Sequence, residues 1–276
     1  MGAWIMAAVT FREAARRKIL WTAFLAGAAF LTLFATGMHF QVKDLARFSV
    51  PPFIRYQVLS AVLQVGFYAV DLLAVVMSIL TSVDTLSGEI ASGTIQAIAT
   101  KPIPRWQILM GKWLGFAAMI GAYVTVMFAG VVATGNFIGS IVPSHAFRAG
   151  LLIFLECLLV LSVTMMCGTW FSTLTNGVIV LGLHGIAFIG GWIEQIGSFA
   201  SSPRLVTVGI VSSLIMPSEA VWRRASFEMQ SSFSRSLQFT PFSTASAPSA
   251  AMMGYAAAYL LIALIIAIRH FHQRDL

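Results

Sequence analysis

Six long apolar runs, separated by shorter polar segments, constrain the fold of this chain more than any other feature. Each run is close to the ~20 residues that an α-helix needs to cross a hydrocarbon core. The runs occupy residues 19–38, 54–83, 113–134, 150–171, 178–196 and 252–268. Charged residues make up 10% of the 276 residues, against about 25% in soluble domains. The sequence therefore predicts an all-α polytopic membrane protein, with residues 1–276 forming one transmembrane domain.

The distribution of Lys and Arg predicts the orientation of these spans. If the N-terminus lies inside, the inside flanks hold Arg12, Arg16, Arg17, Lys18, Lys101, Arg105, Lys112, Arg269 and Arg274, and the short outside loops hold Lys43, Arg47, Arg55 and Arg148. Cytoplasmic flanks carry the excess of basic residues in membrane proteins, so both termini are expected in the cytoplasm. The net charge of +7 follows from these flanks. Because no basic stripe gathers on a soluble domain, the sequence does not indicate a nucleic-acid partner.

The stretch before the first run, residues 1–18, has the pattern of a basic amphipathic helix. Trp4 and Phe11 share one face of a helical wheel, whereas Arg12, Arg16 and Arg17 lie on the other face. This pattern predicts an interfacial helix that lies on the inner leaflet in contact with membrane lipids. An ordinary basic anchor before the first span is the alternative, and the two interpretations are compatible.

The segment 84–112 is polar and rich in turn-forming residues although it connects two apolar runs, and the predicted orientation places it in the cytoplasm. Thr85, Ser87 and Ser92 are candidate N-caps of a short helix, and Ile90, Thr94, Ile95 and Ile98 form one face of that helix. Pro102 and Pro104 end it. Arg105 and Lys112 then anchor the chain at the membrane interface where the third run begins. A short helix held between two spans is suited to pass force from a soluble partner to those spans.

Three motifs in this segment resemble the cytoplasmic loop of the type-2 ABC exporter permeases. They are Glu89-x-x-x-Gly93-Thr94-Ile95, Ala99-Thr100-Lys101-Pro102-x-Pro104-Arg105 and Ile108-Leu109-x-Gly111-Lys112. The sequence before the first run is similar to the entry helix of the same family, in the residues Phe11-Arg12-Glu13-x-x-Arg16-Arg17. The order of the predicted elements also fits that family: an interfacial helix, six spans and a long loop before the sixth span.

The resemblance implies a permease that forms a dimer, with one cytoplasmic ATPase subunit bound to each copy. It places a coupling helix at residues 89–99 and assigns ATPase coupling to Glu89, Gly93, Thr94, Ile95, Ile98, Pro102, Arg105 and Lys112. The chain lacks the Gly-x4-Gly-Lys-[Ser/Thr] phosphate loop. It is therefore expected to be a non-catalytic subunit that binds no cofactor, while the partner ATPase binds ATP and Mg²⁺. The expected cargo is hydrophobic or amphipathic and is exported across a bacterial inner membrane.

Ionisable residues inside the spans are the candidates for a translocation path. Asp71, Glu156 and His184 lie within apolar runs, and Glu194 lies near the outer end of the fifth run, where water is within its reach. Charged groups are costly in hydrocarbon, so such residues usually face the interior of a bundle or a wet cavity. The functional interpretation is a cationic or proton-linked path in the outer half of the bundle. The alternative is hydrogen bonding between spans.

The segment 197–251 is predicted to be an extracytoplasmic loop. Residues 203–216 are apolar but too few to cross, which predicts a re-entrant or interfacial helix, and the serine-rich residues 226–249 are predicted to be loop. Small residues also predict close packing, at Gly111-x-x-x-Gly115 in the third span and at Gly182, Gly185, Gly190 and Gly191 in the fifth. The fifth-span glycines suit either a dimer interface or packing within one subunit.

Other functions stay open at the level of the sequence. Met165, Met166 and Cys167 offer soft ligands of the kind that bind Cu(I), which keeps a copper- or ion-processing permease as an alternative. Adjacent methionines point about 100° apart on a helix, so no metal site is predicted from them. An intramembrane enzyme and a channel scaffold are further alternatives, and the chain contains no His-Glu-x-x-His motif.

Overall fold

A computed structural model describes residues 2–16, 18–91, 104–230 and 248–273, and their regular structure is α-helical. The helices in these ranges are α1 (Gly2–Arg16), α2 (Lys18–Arg47), α3 (Pro52–Ala91), α4 (Arg105–Phe137), α5 (Ala146–Gly168), α6 (Thr173–Phe199), α7 (Pro203–Ile215), α8 (Ser218–Met229) and α9 (Ala250–Gln273). Six of them, α2 to α6 and α9, are long and apolar enough to cross a membrane. Five of these helices contain a predicted run and α5 covers residues 150–168 of the fourth run, which confirms the all-α polytopic fold.

The polar segment between the second and third spans is shorter than predicted, because both flanking helices extend into it. Helix α3 continues to Ala91, and α4 begins at Arg105. The hydroxyls of Thr85 and Ser87 donate to carbonyls one turn earlier in α3, so they continue that helix and do not cap a new one. Helical structure therefore extends from both sides into the predicted cytoplasmic segment 84–112. Most of the predicted helix 89–99 lies outside the described residues.

The segment after the fifth span contains two helices that meet at a sharp angle. Helices α7 and α8 are bent by 109° relative to each other, and together they form either a broken span or a re-entrant pair. Met216 is extended at the bend and Pro217 follows it, and a proline ring prevents α7 from continuing. The loop predicted from residue 226 is wrong at its start, because α8 continues to Met229.

The hydrophobic core lies among α3, α4 and α5. Phe67 of α3 stacks on Phe128 of α4 with ring centroids 4.8 Å apart, and Ile153 and Leu161 of α5 are fully buried beside them. Helix α2 instead buries only Gly27, Met38 and Leu45, and Trp21, Leu25 and Leu33 are among its exposed side chains, as is usual for a span that faces lipid or another chain. Asp71 and Glu156 therefore lie on α3 and α5, two of the spans at the centre of the bundle.

Helix α1 packs against the start of α4 through two glycines. A Cβ atom added at Gly115 would lie 2.8 Å from the backbone oxygen of Ala7, and one added at Gly111 would lie 2.4 Å from Cβ of Met6. The predicted small-residue face of the third span therefore packs within one chain. The residues that α1 buries are Ala7, Thr10 and Ala14.

The amphipathic face predicted for α1 is not the face that packs on α4. Trp4 is 76% exposed, and Phe11, Arg12 and Arg16 are exposed as well, while Arg17 lies outside the described residues. Small side chains allow the close approach of the two helices, whereas Trp4 and Phe11 stay on the surface. This surface remains available to lipid headgroups, as an interfacial helix requires.

The glycine contact between α1 and α4 can be tested by adding one methyl group. We expect Gly115→Ala to lower the free energy of unfolding by about 1 to 3 kcal/mol, because the new Cβ would overlap the backbone of α1. Gly254→Ala in α9 is the matched control, since nothing lies within 4 Å of its added Cβ. Thermal unfolding of the purified protein in nanodiscs measures both. Equal unfolding midpoints for the two variants would contradict the contact.

Candidate functional site

The ends of α3 and α4 are joined by a buried ion pair. The Lys112 ammonium donates a hydrogen bond to Oε1 of Glu89. The Lys112 side chain is only 3% exposed and that of Glu89 is 14% exposed. A buried charge is tolerated when an opposite charge and hydrogen bonds compensate it. The prediction that Lys112 anchors the chain at the membrane interface is therefore wrong: its side chain points inward and fixes α4 to α3.

A second set of contacts fixes the same end of α3 to α5 and α6. Thr173 Oγ1, in the first turn of α6, donates to Oδ1 of Asp84 at 2.9 Å. Asn176 Nδ2 donates to the carbonyl oxygens of Val83 in α3 and Thr164 in α5, each at 3.1 Å. Asn176 is fully buried. The three helices are therefore held by polar side chains at the end of the bundle from which residues 92–103 emerge.

The start of α4 also contacts the end of α9. Arg105 Nη1 donates to the backbone oxygen of His272 at 3.1 Å. Next to this contact is an open groove of about 520 Å³, lined by Trp106, Ile268, Arg269, His272 and Gln273. The ends of α3, α4, α6 and α9 thus form one connected surface, which we call the coupling end.

The predicted coupling residues divide into two groups at this surface. Glu89, Arg105 and Lys112 are described, and each makes a contact that fixes one helix to another. The others, Gly93, Thr94, Ile95, Ile98 and Pro102, lie outside the described residues. The three described residues therefore belong to the base that supports the connecting segment 92–103.

The predicted intramembrane carboxylates come together at the centre of the bundle. Asp71 of α3 is 5% exposed, and Glu156 of α5 is fully buried. The two carboxyl groups interact with each other, and Glu219 of α8 interacts with both of them. Glu219 is itself 6% exposed. The structure therefore unites two predicted residues and adds a third that sequence reasoning missed.

His184 contacts a different group from the carboxylate pair. Its Nδ1 and Oγ of Ser218, the first residue of α8, form a hydrogen bond of 3.0 Å. This contact favours the alternative of hydrogen bonding between helices for His184. It also shows how α8 begins: its first residue is fixed to a span, and the next residue, Glu219, enters the carboxylate cluster.

The buried face of α8 carries polar residues among apolar ones, and several of these polar groups contact a span. Arg223 Nη1 pairs with Oε1 of Glu194 in α6 at 2.7 Å, and Gln64 Nε2 of α3 donates to Oγ of Ser226 at 2.7 Å. Glu194, which the sequence places near water, pairs with Arg223 and keeps 14% of its side chain exposed. Glu219, Arg223 and Ser226, with Ser218 beside the first of them, are spaced so that they fall on one face of a helix. This spacing is the signal in the sequence that indicates buried polar groups on α8.

Aromatic side chains cover the cluster between α3, α6 and α8. Tyr68, one turn from Asp71, accepts a hydrogen bond of 3.1 Å from Nε1 of Trp192 in α6. Its ring packs edge-on against Trp222 of α8, with centroids 5.2 Å apart. These contacts place the carboxylates behind a layer of aromatic rings.

The described part of the chain contains no set of His, Cys, Asp or Glu ligands for a metal ion. Within residues 2–16, 18–91, 104–230 and 248–273, no group of three or more His, Cys, Asp or Glu side chains is arranged to hold a metal ion. Cys157 and Cys167 are free and buried. The copper alternative therefore gains no support from these ranges.

Removing one partner of the ion pair at the coupling end is expected to be costly. Lys112→Met should lower the free energy of unfolding by about 3 to 5 kcal/mol, because the Glu89 carboxylate loses the charge that compensates its burial. Arg224→Met is the control, because the Arg224–Glu228 pair in α8 has a more exposed cation, and such a pair contributes about 0.3 to 0.5 kcal/mol.

Denaturant unfolding in nanodiscs measures both variants. A double variant, Glu89→Gln with Lys112→Met, should recover part of the loss, because it removes both charges. If Lys112→Met and Arg224→Met lose equal stability, the pair does not fix the two helices.

Comparison with known proteins agrees with the geometry. A sequence profile described as ABC-2 family transporter protein matches residues 4–276, which extends the resemblance from the connecting segment to α1, the spans and the α7–α8 pair. A search of the curated proteins finds no match. Membership of this family implies a membrane subunit that works with an ATPase partner. The chain belongs to the ABC-2 family of transporter proteins and is a multi-pass membrane permease.

Proposed function

We propose that this permease is the membrane subunit of an ATP-driven exporter, and that its cytoplasmic ATPase partner docks on the connecting segment 92–103. The observation that carries this proposal is the buried Glu89–Lys112 pair at the base of that segment. Both helices that leave the segment are fixed to each other there. A force applied to the segment therefore reaches α3 and α4 as one unit.

The length of α3 supports its role in transmitting that force. The helix runs for 40 residues from Pro52 to Ala91, about 60 Å at the rise of an α-helix. Asp71 lies near its middle and contacts the carboxylate cluster. Tilting α3 at the coupling end consequently moves groups in the interior of the bundle as well as its far end.

A second copy of the chain completes the exporter in this proposal. Helix α6 has an open face, because a Cβ atom added at Gly182 or Gly185 would meet nothing within 4 Å. Leu174, Val178 and Ile189 are exposed on the same helix. Small residues beside large apolar ones suit helix–helix contact in a membrane. By contrast, Gly190 and Gly191 pack against α7 and α8 within one chain.

The cargo in this proposal is hydrophobic or amphipathic, and membrane lipids are its surroundings. The exposed side chains of α2 and α6 are predominantly apolar, so a path beside them favours apolar cargo. Asp71, Glu156 and His184 are buried inside one chain. Their direct contact with cargo would require α3, α5 and α6 to separate. Both termini are cytoplasmic in a bacterial inner membrane, and the ATPase partner supplies the sites for ATP and Mg²⁺.

The docking surface is tested by a charge placed in the connecting segment. We expect Ile95→Asp to weaken binding of the ATPase subunit about tenfold or more. The reason is that losing one central apolar contact costs about 1.4 kcal/mol or more of binding free energy. The measurement is the amount of ATPase that co-purifies with the tagged permease from its native host, together with vanadate-sensitive ATP hydrolysis.

Val142→Asp is the matched control for this experiment. Val142 is an apolar residue, 56% exposed, in the connection between α4 and α5 at the end opposite to the coupling end. We expect this variant to retain the ATPase at the wild-type ratio. The proposal fails if Ile95→Asp retains as much ATPase and hydrolysis as Val142→Asp. Glu89 is less suitable for this test, because its substitution also breaks the ion pair with Lys112.

A further inference from the structure

We propose that Asp71, Glu156 and Glu219 form a proton-binding site in the interior of the bundle, connected through Arg223 and Glu194 to the end opposite to the coupling end. This inference does not depend on the identity of the exported cargo or on the docking surface of the ATPase. It assigns a ligand, the proton, to a cluster that spans three helices. The site contains Glu219, which belongs to the bent helix pair and not to one of the six spans.

The first argument is that Asp71 and Glu156 are buried against each other with little compensation from other groups. Glu156 is fully buried, and neither of its carboxyl oxygens bonds to a described residue other than Asp71. Asp71 is 5% exposed, and its Oδ1 bonds to no described residue other than Glu156. An ionised carboxylate in such surroundings carries a large cost in free energy. Two adjacent carboxyl groups share a proton because the negative charges repel each other.

The second argument is the distribution of charge around the pair. Tyr68 of α3, Cys157 of α5 and Glu219 of α8 interact with this pair. Ser78 of α3 bonds to Cys157, while Glu194 of α6 and Arg223 of α8 act on Glu219. Among these groups Arg223 is the cation, and it acts on Glu219 while it bonds to Glu194. Asp71 and Glu156 therefore interact with a third acid, and a bound proton is the positive charge that compensates them.

The third argument concerns the size of the ligand. No group of three or more His, Cys, Asp or Glu side chains in the described ranges is arranged to hold a metal ion. The packing beside Glu219 is also tight, because a Cβ atom added at Gly191 would lie 2.5 Å from Cγ of Glu219. An organic cation would have to displace these packed atoms, whereas a proton needs only a free oxygen lone pair. The geometry thus favours the smallest cation.

The fourth argument is the connection from the site to the surface. Glu219 interacts with Asp71 on one side and with Arg223 on the other. Arg223 pairs with Glu194, which is partly exposed near the end of α6. A proton that leaves the Glu156 carboxyl is accepted by Glu219 and then by water beside Glu194. One proton moves from a carboxyl oxygen to water, and no bond between heavier atoms changes.

The bend between α7 and α8 gives the site a way to load and unload. Glu219 lies on α8, whereas Asp71 lies on α3 and Glu156 on α5, so the three carboxyl groups belong to separate helices. Movement of α8 about the 109° bend changes the separation of Glu219 from the pair. The α7 end of the bend is held by α9, because the hydroxyls of Tyr255 and Tyr259 donate to the carbonyls of Leu214 and Ile215.

Infrared spectroscopy of the purified full-length permease in nanodiscs tests the site directly, without the ATPase. At neutral pH the wild-type protein should show a C=O stretching band of a protonated carboxyl group that shifts in D₂O. Asp71→Asn and Glu156→Gln should each remove or shift this band. Glu219→Gln should slow its exchange in D₂O. Glu228→Gln is the matched control, since Glu228 lies on α8 and is already paired with Arg224.

The outcomes separate the alternatives. Absence of the band from the wild-type protein, a measurement that needs no variant to fold, would overturn the proposal. A band that Asp71→Asn and Glu156→Gln leave unchanged would do the same. If tetramethylammonium chloride raises the thermal midpoint above that in sodium chloride, and Glu156→Gln abolishes the rise, the cluster binds an organic cation instead. None of these results depends on whether Ile95→Asp releases the ATPase, so the two proposals fail independently.

Discussion

The need to compensate buried charge governs the arrangement of this permease. Hydrocarbon offers no water to solvate an ion, so each ionisable side chain must find an opposite charge, a hydrogen bond or a proton within the protein. Lys112 and Glu89 meet this need with each other, as do Arg223 and Glu194. Because the partners of each pair come from different helices, compensation of charge also fixes how the helices pack. The bundle is held by ion pairs near both of its ends.

The interior carboxylates meet the same need in a different way. Asp71, Glu156 and Glu219 cluster where no cation of the described ranges pairs with the first two, whereas Arg223 acts on the third. An ion pair compensates a buried charge permanently, since both charges stay in place. A bound proton compensates it reversibly, because the proton can leave when the surroundings change. The contrast separates the parts of the bundle that hold its shape from the part that is suited to respond when α8 moves.

The sequence predicted the spans well because lipid selects for them directly: about twenty apolar residues in a row have few other uses in a folded chain. It did not predict the ends of the helices, since Thr85 and Ser87 resemble caps yet bond back into α3. The partner of Lys112 lies 23 positions away in sequence, across the connecting segment, and no local pattern identifies it. Glu219 and Arg223 were missed because a short helix with a polar inward face resembles a solvated loop. Only tertiary packing shows that this face is buried.

The contact of α1 with Gly111 and Gly115 has a consequence for how the chain is made. Helix α1 is synthesised before its docking surface on α4, which follows two intervening spans. During that interval α1 lacks the helix on which Ala7 and Thr10 pack. The exposed Trp4 and Phe11, together with the basic side chains nearby, allow α1 to bind the membrane surface during this interval. The amphipathic face of α1 thus binds lipid while the chain is being made, and its small residues pack on α4 in the folded protein.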